Sequence, residues 1–321
     1  MEILAPPGTR DAPEFSLHLG DHVASIQLRE LENFTAASLQ DLLNERPAGM
    51  FIFPDGDDAV RLLAVRRLRP AGAAMSVLMM RPHGQSRRSF KRVLESAAKK
   101  VMRGLARSHR DVQVFSLVPS TTVSVGAWEV RDPIEFNPGA SIPDWRSADP
   151  SLLWFGIAGA ITSRKNVDLV SRALAELGPE VGLVVAGASE VDESTIDEWT
   201  APMRKVGQSV VRINRRLSDE ELDSIIASID VAVIAHTNDG PSGIMGKADL
   251  AGKRVLSAGA PTLRRELRMN PDLGVWTELS APALADGARL VLSMPARREP
   301  GQLRGSRDVF SRVLRREDEK G

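Results

Sequence analysis

Between Leu152 and Gly259, short apolar runs alternate with segments of helical spacing, and no other feature of the chain narrows the fold as far. Leu152–Ile157, Val181–Ala186, Val210–Ile213 and Val231–Ala235 are nearly continuous apolar stretches. Runs of this kind read as strands covered on both faces, as in a parallel sheet. Between them lie Val167–Leu177, with Val170, Ala173, Leu174 and Leu177 on one side, then Ile196–Lys205, then a helix ending at Ser228. That last helix opens with Ser218 and Glu221 at capping-box spacing. Strand and helix in strict alternation, with short links, predict a doubly wound α/β domain whose ligand lies at the carboxyl ends of its strands.

Two loops at such ends have the chemistry of an anion site. The first runs from Gly156 to Lys165, where small residues leave room for a phosphate and Lys165 supplies a point charge beside a helix N-terminus. Gly159 and Arg164 belong to the same loop. The second follows Val231–Ala235 and contains Asn238, Asp239, Gly240, Pro241, Ser242 and Gly243. A helical segment from Ile244 to Ala251 comes next, Gly252 stops it, and Val255–Ser257 starts another strand. Free N–H groups and the helix dipole both point at that loop. Taken singly, each loop is a tight turn with a surface cation; two in one domain favour a phosphate site. The spacing after Gly156 is Gly-x-x-Gly rather than a dinucleotide fingerprint. Pro241-Ser242-Gly243 is not a nucleophile elbow. His83 and His236 each follow a strand, where side chains of a site are presented.

The first half also alternates. Leu39–Leu43 reads as a helix, Met50–Phe53 as a strand, Ala59–Leu68 as a helix and Met75–Met80 as a strand. Val112–Leu117 and Val123–Val130 read as strands, Met1–Ala5 has the pattern of another, and Phe15–Leu19 with Val23–Leu28 that of a polar hairpin. Asp55-Gly56-Asp57-Asp58 reads as a strand-ending turn in which Asp57 or Asp58 caps the next helix, in preference to a cation site. Ser86–Ser108 carries one apolar stripe: Phe90, Val93, Leu94, Ala97, Ala98, Val101, Met102 and Leu105. From Arg81 to Arg110 there are ten Lys or Arg and one acid, Glu95, a local excess of +9. The stripe is wide enough to be consumed by a sheet; the alternative is a surface, centred on Arg87–Lys100, for an anionic membrane or acceptor. The Pro-rich connection after Arg131 places a domain boundary near Ala148.

Composition excludes several classes. Lys+Arg and Asp+Glu are 42 each in 321 residues, so net charge draws the chain to neither nucleic acid nor membrane. There is no Cys, hence no thiolate nucleophile or zinc-thiolate site. Tyr is absent and aromatics are 4%, against a base-stacking nucleic-acid binder. No apolar run reaches the ~18 residues of a membrane span, and Met1–Ala5 is too short for a signal peptide. A cytoplasmic protein is expected.

Phe155-Gly156 followed by Ser163-Arg164-Lys165-Asn166-Val167-Asp168-Leu169-Val170 resembles a segment of the retaining GT-B glycosyltransferases of the glycogen-synthase-like group. Val181–Gly187, Val210–Glu221, Ile229-Asp230-Val231, Gly240–Gly252, Ser280–Leu292 and Phe310-Ser311 continue the resemblance in the same order, over about Trp154 to Arg316. It implies two Rossmann-like, doubly wound domains facing a cleft. Residues 1–148 would form the acceptor-side domain, 149–296 the nucleotide-sugar domain, and 297–321 a linker and a helix crossing back. It also implies transfer from a nucleoside-diphosphate sugar such as a UDP-sugar, with retention and no obligatory metal or other cofactor. The acceptor would be a glycan, lipid or protein, and the location cytoplasmic, with peripheral attachment at the inner membrane face through the basic helix.

By the same resemblance Lys165 matches the phosphate-binding lysine. Ser242, Gly243 and Ile244 would hold the diphosphate through backbone N–H groups. Asp239 matches the first acid of an acid-x7-acid pair near the donor sugar; His83, from its place after a strand and not from the resemblance, is the other catalytic candidate. Lys247 stands at the second acid, on the ribose side, and Ala160 where the family carries an arginine. Those two departures favour the alternative, a catalytically inactive GT-B-like binding or scaffolding protein.

Overall fold

The structure, a computed structural model, describes residues 2–5, 27–30, 35–47, 49–81, 89–122, 124–237 and 240–295. Among them are twelve strands and nine α-helices. The chain divides into two compact units, residues 1–77 with 101–114, and residues 78–100 with 115–321.

In the first unit β1 (Glu2–Ala5) and β2 (Gln27–Glu30) pair in parallel, Glu2 opposite Gln27. Residues 27 and 28 of the expected hairpin therefore belong to a parallel strand, and the remainder of that hairpin lies outside the described residues. Helix α1 (Ala36–Glu45) is capped by Thr35, whose side chain accepts from the Ser38 N–H, and buries Leu39, Leu42 and Leu43. Strand β3 (Met50–Phe53) leads to α2 (Asp57–Ala64), then to β4 (Ala74–Met79). The N-cap of α2 is Gly56, not an aspartate. Asp57 and Asp58 sit in its first turn, where the helix dipole favours their charge. This helix stops at Ala64, short of the expected Leu68, and Arg66 takes a left-handed φ of 58°.

Helix α3 (Ser89–Arg107) corrects the sequence reading. Its apolar stripe is not consumed by a sheet: Phe90 is 75% exposed, Val93 63%, Val101 61% and Leu94 54%. The opposite, polar side faces inward, with Ala106 buried and Ser96, Lys99 and Arg103 half-buried; of the stripe, Met102 at its edge is half-buried too. Hydrogen bonds hold that side, since Lys99 donates to the Arg81 carbonyl at 2.5 Å and Arg107 Nε to that of Val114 at 3.0 Å. Strand β5 (Val112–Val118) pairs in parallel with β6 (Glu129–Arg131), and the four-stranded sheet runs β3-β4-β5-β6. β6 is shorter than the expected Val123–Val130 because a turn precedes it, closed by Gly126 N–H donating to Glu129 Oε2 at 2.9 Å.

The second unit contains a six-stranded, all-parallel sheet in the order β12-β11-β10-β7-β8-β9. In chain order these are β7 (Leu153–Ala158), β8 (Val181–Ala186), β9 (Val210–Ile213), β10 (Val231–His236), β11 (Arg254–Gly259) and β12 (Gly274–Thr277). Helices α4 (Val167–Ala175), α5 (Glu193–Lys205) and α9 (Ala281–Ser293) cover one face, where Phe155, Ile157, Leu183 and Val233 pack. Helices α6 (Asp219–Ser228), α7 (Gly243–Leu250) and α8 (Pro261–Met269) cover the other, over Trp154, Val184, Ala232 and Ile234. Successive strand residues thus alternate between two buried faces, which is why their runs are apolar throughout. Helix α8 and strand β12 were not expected from the sequence. The linker Arg297–Gly305 and the last helix, Val309–Arg316, lie outside the described residues.

Candidate functional site

Strands β7 and β10 are neighbours in the sheet, yet the chain visits β8 and β9 before it returns to β10. The direction of winding reverses between them, and such a switch point opens a crevice at the carboxyl ends. The pairing register shows the opening. Val231 faces Phe155 and Ala232 faces Gly156, and the β7–β10 pairing stops there, while β10–β11 pairing continues to His236. Asp230 fastens the closed end: its Oδ2 accepts from the Trp154 N–H at 2.8 Å, and its Oδ1 meets Arg146 at 2.7 Å.

The loop after β7 lies at the open end. Thr162 starts a short 3-10 turn, Ser163–Lys165, and Asn166 follows in the left-handed region at φ 50°. Asn166 Nδ2 donates to the Ala235 carbonyl and to that of Arg164, both at 2.7 Å. The Ala235 carbonyl, beyond the end of the β7–β10 ladder, thus finds its donor in the loop. Lys165 Nζ donates to the Ala158 carbonyl, the last of β7, at 2.9 Å. Burial, and after it the neighbouring Arg164 charge, hold the Lys165 ammonium below the usual lysine pKa. An anion nearby would offset both effects. Arg164 itself is exposed. Gly159 packs against Gly187 so closely that a Cβ at Gly187 would collide with the Gly159 carbonyl.

The second loop reaches α7 through Gly240, Pro241 and Ser242. Ser242 caps the helix, its Oγ accepting from Met245 N–H at 3.4 Å, while the N–H groups of Gly243 and Ile244 have no intrahelical partner. Helix α7 sits close to the chain that follows β5: a Cβ at Gly246 would meet Ser120 Oγ and come within 2.8 Å of Ile134. Asp239 and His83 lie outside the described residues. His236, half-buried, ends β10.

Lys247 points elsewhere. Its ammonium is 2.5 Å from Asp223 Oδ1 and donates to the Glu135 carbonyl at 2.9 Å. Asp223 Oδ2 in turn accepts from the Asn137 N–H at 2.7 Å. The adjoining cavity, about 310 Å³, is lined by Glu135, Asp219, Glu220 and Asp223. An acidic wall of that kind repels a diphosphate.

A second cavity, about 180 Å³, adjoins Gly240 and Pro241 and is lined by Arg81, Arg265, Glu266 and Thr262 among others. Sequence reasoning missed Arg265 and Glu266, because α8 offers only Leu263 and Leu267 as an apolar signal among its arginines. Glu266 is buried, and its Oε1 accepts from Thr121 Oγ1 at 2.6 Å. Desolvation pushes its carboxyl up to about 7; Asp249 and Asp132 add to the rise and Thr121 opposes it.

Solved structures of known proteins share this architecture. HepE of Anabaena, in complex with UDP-glucose, superposes with a TM-score of 0.61 over 98% of each chain at 14% identity. Sucrose-phosphate synthase of Thermosynechococcus elongatus gives 0.56 over 98% of this chain and 84% of its own, also at 14% identity. The UDP-forming trehalose-phosphate synthase of Burkholderia xenovorans gives 0.56 over 87% and 76%, at 11% identity. No family model matches the chain, and no curated protein sequence does. The likeness establishes the fold: two parallel-sheet α/β units of the GT-B type.

Proposed function

We propose that the chain is a glycosyltransferase that takes its sugar from a nucleoside diphosphate, UDP first among the candidates, and transfers it with retention and without a required metal. The observation that carries this reading is the switch-point crevice, with a desolvated lysine at the end of β7 and a capped helix N-terminus just after β10. A neighbour of the same fold holds UDP-glucose, which supports uridine as the nucleoside to test first. As the sugar leaves, negative charge grows on the diphosphate. Lys165, Arg164 and the amides of Gly243 and Ile244 would stabilise it, and fixed donors of this kind act more strongly in a dry site than in water. Asp239 and His83 are the proposed catalytic candidates.

Isothermal titration with UDP, GDP and ADP tests the reading. Binding of UDP in the micromolar range is expected, with GDP and ADP at least ten-fold weaker. Absence of binding by all three at millimolar concentration would leave the second reading, an inactive GT-B-like scaffold. Ala160 and the Lys247–Asp223 pair favour that reading.

We further propose attachment to the inner, cytoplasmic face of a membrane through α3. Its outward stripe of Phe90, Val93, Leu94 and Val101 lies beside Lys91 and Lys100, the composition of a helix resting in an anionic interface. No described helix is long and apolar enough to cross a membrane. The protein should pellet with vesicles containing anionic lipid at low salt and stay in solution with neutral ones. Phe90→Asp with Leu94→Asp should cut the bound fraction at least ten-fold; equal pelleting by that variant would reject α3 as the anchor.

A further inference from the structure

The cavity beside Gly240 and Pro241 has features that donor binding does not use. Arg81 and Arg265 line it, both exposed, and neither guanidinium has a hydrogen-bond or ion-pair partner among the described residues. Glu266 lines it from α8 with a carboxyl almost wholly buried. One oxygen is satisfied by Thr121, and Oε2 has no partner among the described residues. A buried polar atom without a partner has lost its water and gained nothing in exchange. Glu129 also lines it, its carboxylate already accepting from the Gly126 N–H, and the remaining wall is mostly apolar, from Leu117, Val118, Pro119 and Met269.

We infer that this cavity is the acceptor subsite, and that it takes a small polyhydroxylated anion, a sugar or polyol bearing phosphate or carboxylate. The assignment rests on the transferase reading, since the loop at Gly240–Pro241 that borders the cavity also leads to the proposed diphosphate site. Arg81 and Arg265 meet the anionic group, because planar guanidinium forks match phosphate and carboxylate. Glu266 Oε2 meets a hydroxyl. Near neutral pH that carboxyl is present in both protonation states, so it donates to or accepts from the hydroxyl. An uncharged sugar leaves both arginines unanswered, and a phosphate without a polyol leaves Glu266 unanswered.

The test uses the full chain with UDP present at saturation and titrates glucose 6-phosphate, glucuronate and glucose by saturation-transfer NMR. At least one charged sugar should bind in the millimolar range or tighter, with glucose ten-fold weaker or undetected. The one that binds names the anion. Arg81→Ala and Arg265→Ala should each weaken it five-fold or more, and Glu266→Leu should weaken it while Glu266→Gln retains most of the affinity. UDP affinity, read on the same samples, should stay constant in Arg265→Ala. Failure of both charged sugars to bind, or equal binding by the Arg81→Ala, Arg265→Ala double variant, would overturn the subsite. If UDP still binds in those samples, the donor reading stands without it; if UDP fails and a charged sugar binds, the cavity is an anion site and its assignment as an acceptor subsite falls with the transferase reading.

Discussion

Lys165→Ala is expected to weaken UDP binding by about 100-fold, a loss of about 2.7 kcal/mol, while leaving the protein folded. The size follows from the place of the ammonium. It is held at the end of β7 by the Ala158 carbonyl and is largely removed from water, so a diphosphate oxygen there gains a charge-assisted bond with little solvent competition. Stability should move the other way. The folded state lowers the Lys165 pKa below 10.5, so carrying its charge at neutral pH costs the fold energy. That cost is relieved as pH rises from the depressed value toward 10.5, because there the unfolded chain holds the proton and the folded one does not. The alanine variant should therefore melt at or above the parent temperature near pH 7, and the parent should close the gap in alkaline buffer. Titration calorimetry and thermal melts on the same samples read both effects. Unchanged UDP affinity in a folded variant would remove the lysine from the site.

Lys247→Met should destabilise the protein by about 3 kcal/mol, because removing one partner of a buried pair leaves the other charge uncompensated. Asp223 is 3% exposed at its side chain and Lys247 13%, so water rescues little. The loss includes the tie from α7 to the Glu135 carbonyl and, through Asp223, the seat of Asn137. In urea the midpoint should fall with the slope unchanged. Adding Asp223→Asn should recover much of the loss, since an amide oxygen still accepts from the Asn137 N–H. UDP affinity, measured where the single variant remains folded, reports separately on the ribose role that its sequence position implies.

The second unit was legible because its strands are buried on both faces and so announce themselves as apolar runs. Alternation of strand and helix predicts a doubly wound sheet, but the order of its strands, and with it the switch point between β7 and β10, is set by pairing in three dimensions. Less was legible where partners meet only in three dimensions. Asn166 gives no hint of its partner in sequence; its bridge to Ala235 exists because β7 and β10 part. Lys247 stands in a position that suggests a ligand, and its partner Asp223 comes from another helix. Helix α3 shows the limit most directly. Its periodicity identifies a two-sided helix but cannot say which side faces inward, and the sheet-covering expectation chose the wrong one. Helix α8 was missed outright, since three arginines in Pro261–Met269 mask Leu263 and Leu267. Glu266, the buried acid of the second cavity, went with it.

The parting of β7 from β10 divides the six-stranded sheet into two leaves of three strands, β9-β8-β7 and β10-β11-β12. They are riveted at one end by the ladder at Phe155–Gly156 and by Asp230. At the other end the Asn166 amide is the one stitch among the described residues. Splaying is therefore easiest where the phosphates would enter, and a diphosphate reaching from Lys165 to the start of α7 would act as a second stitch across the same gap.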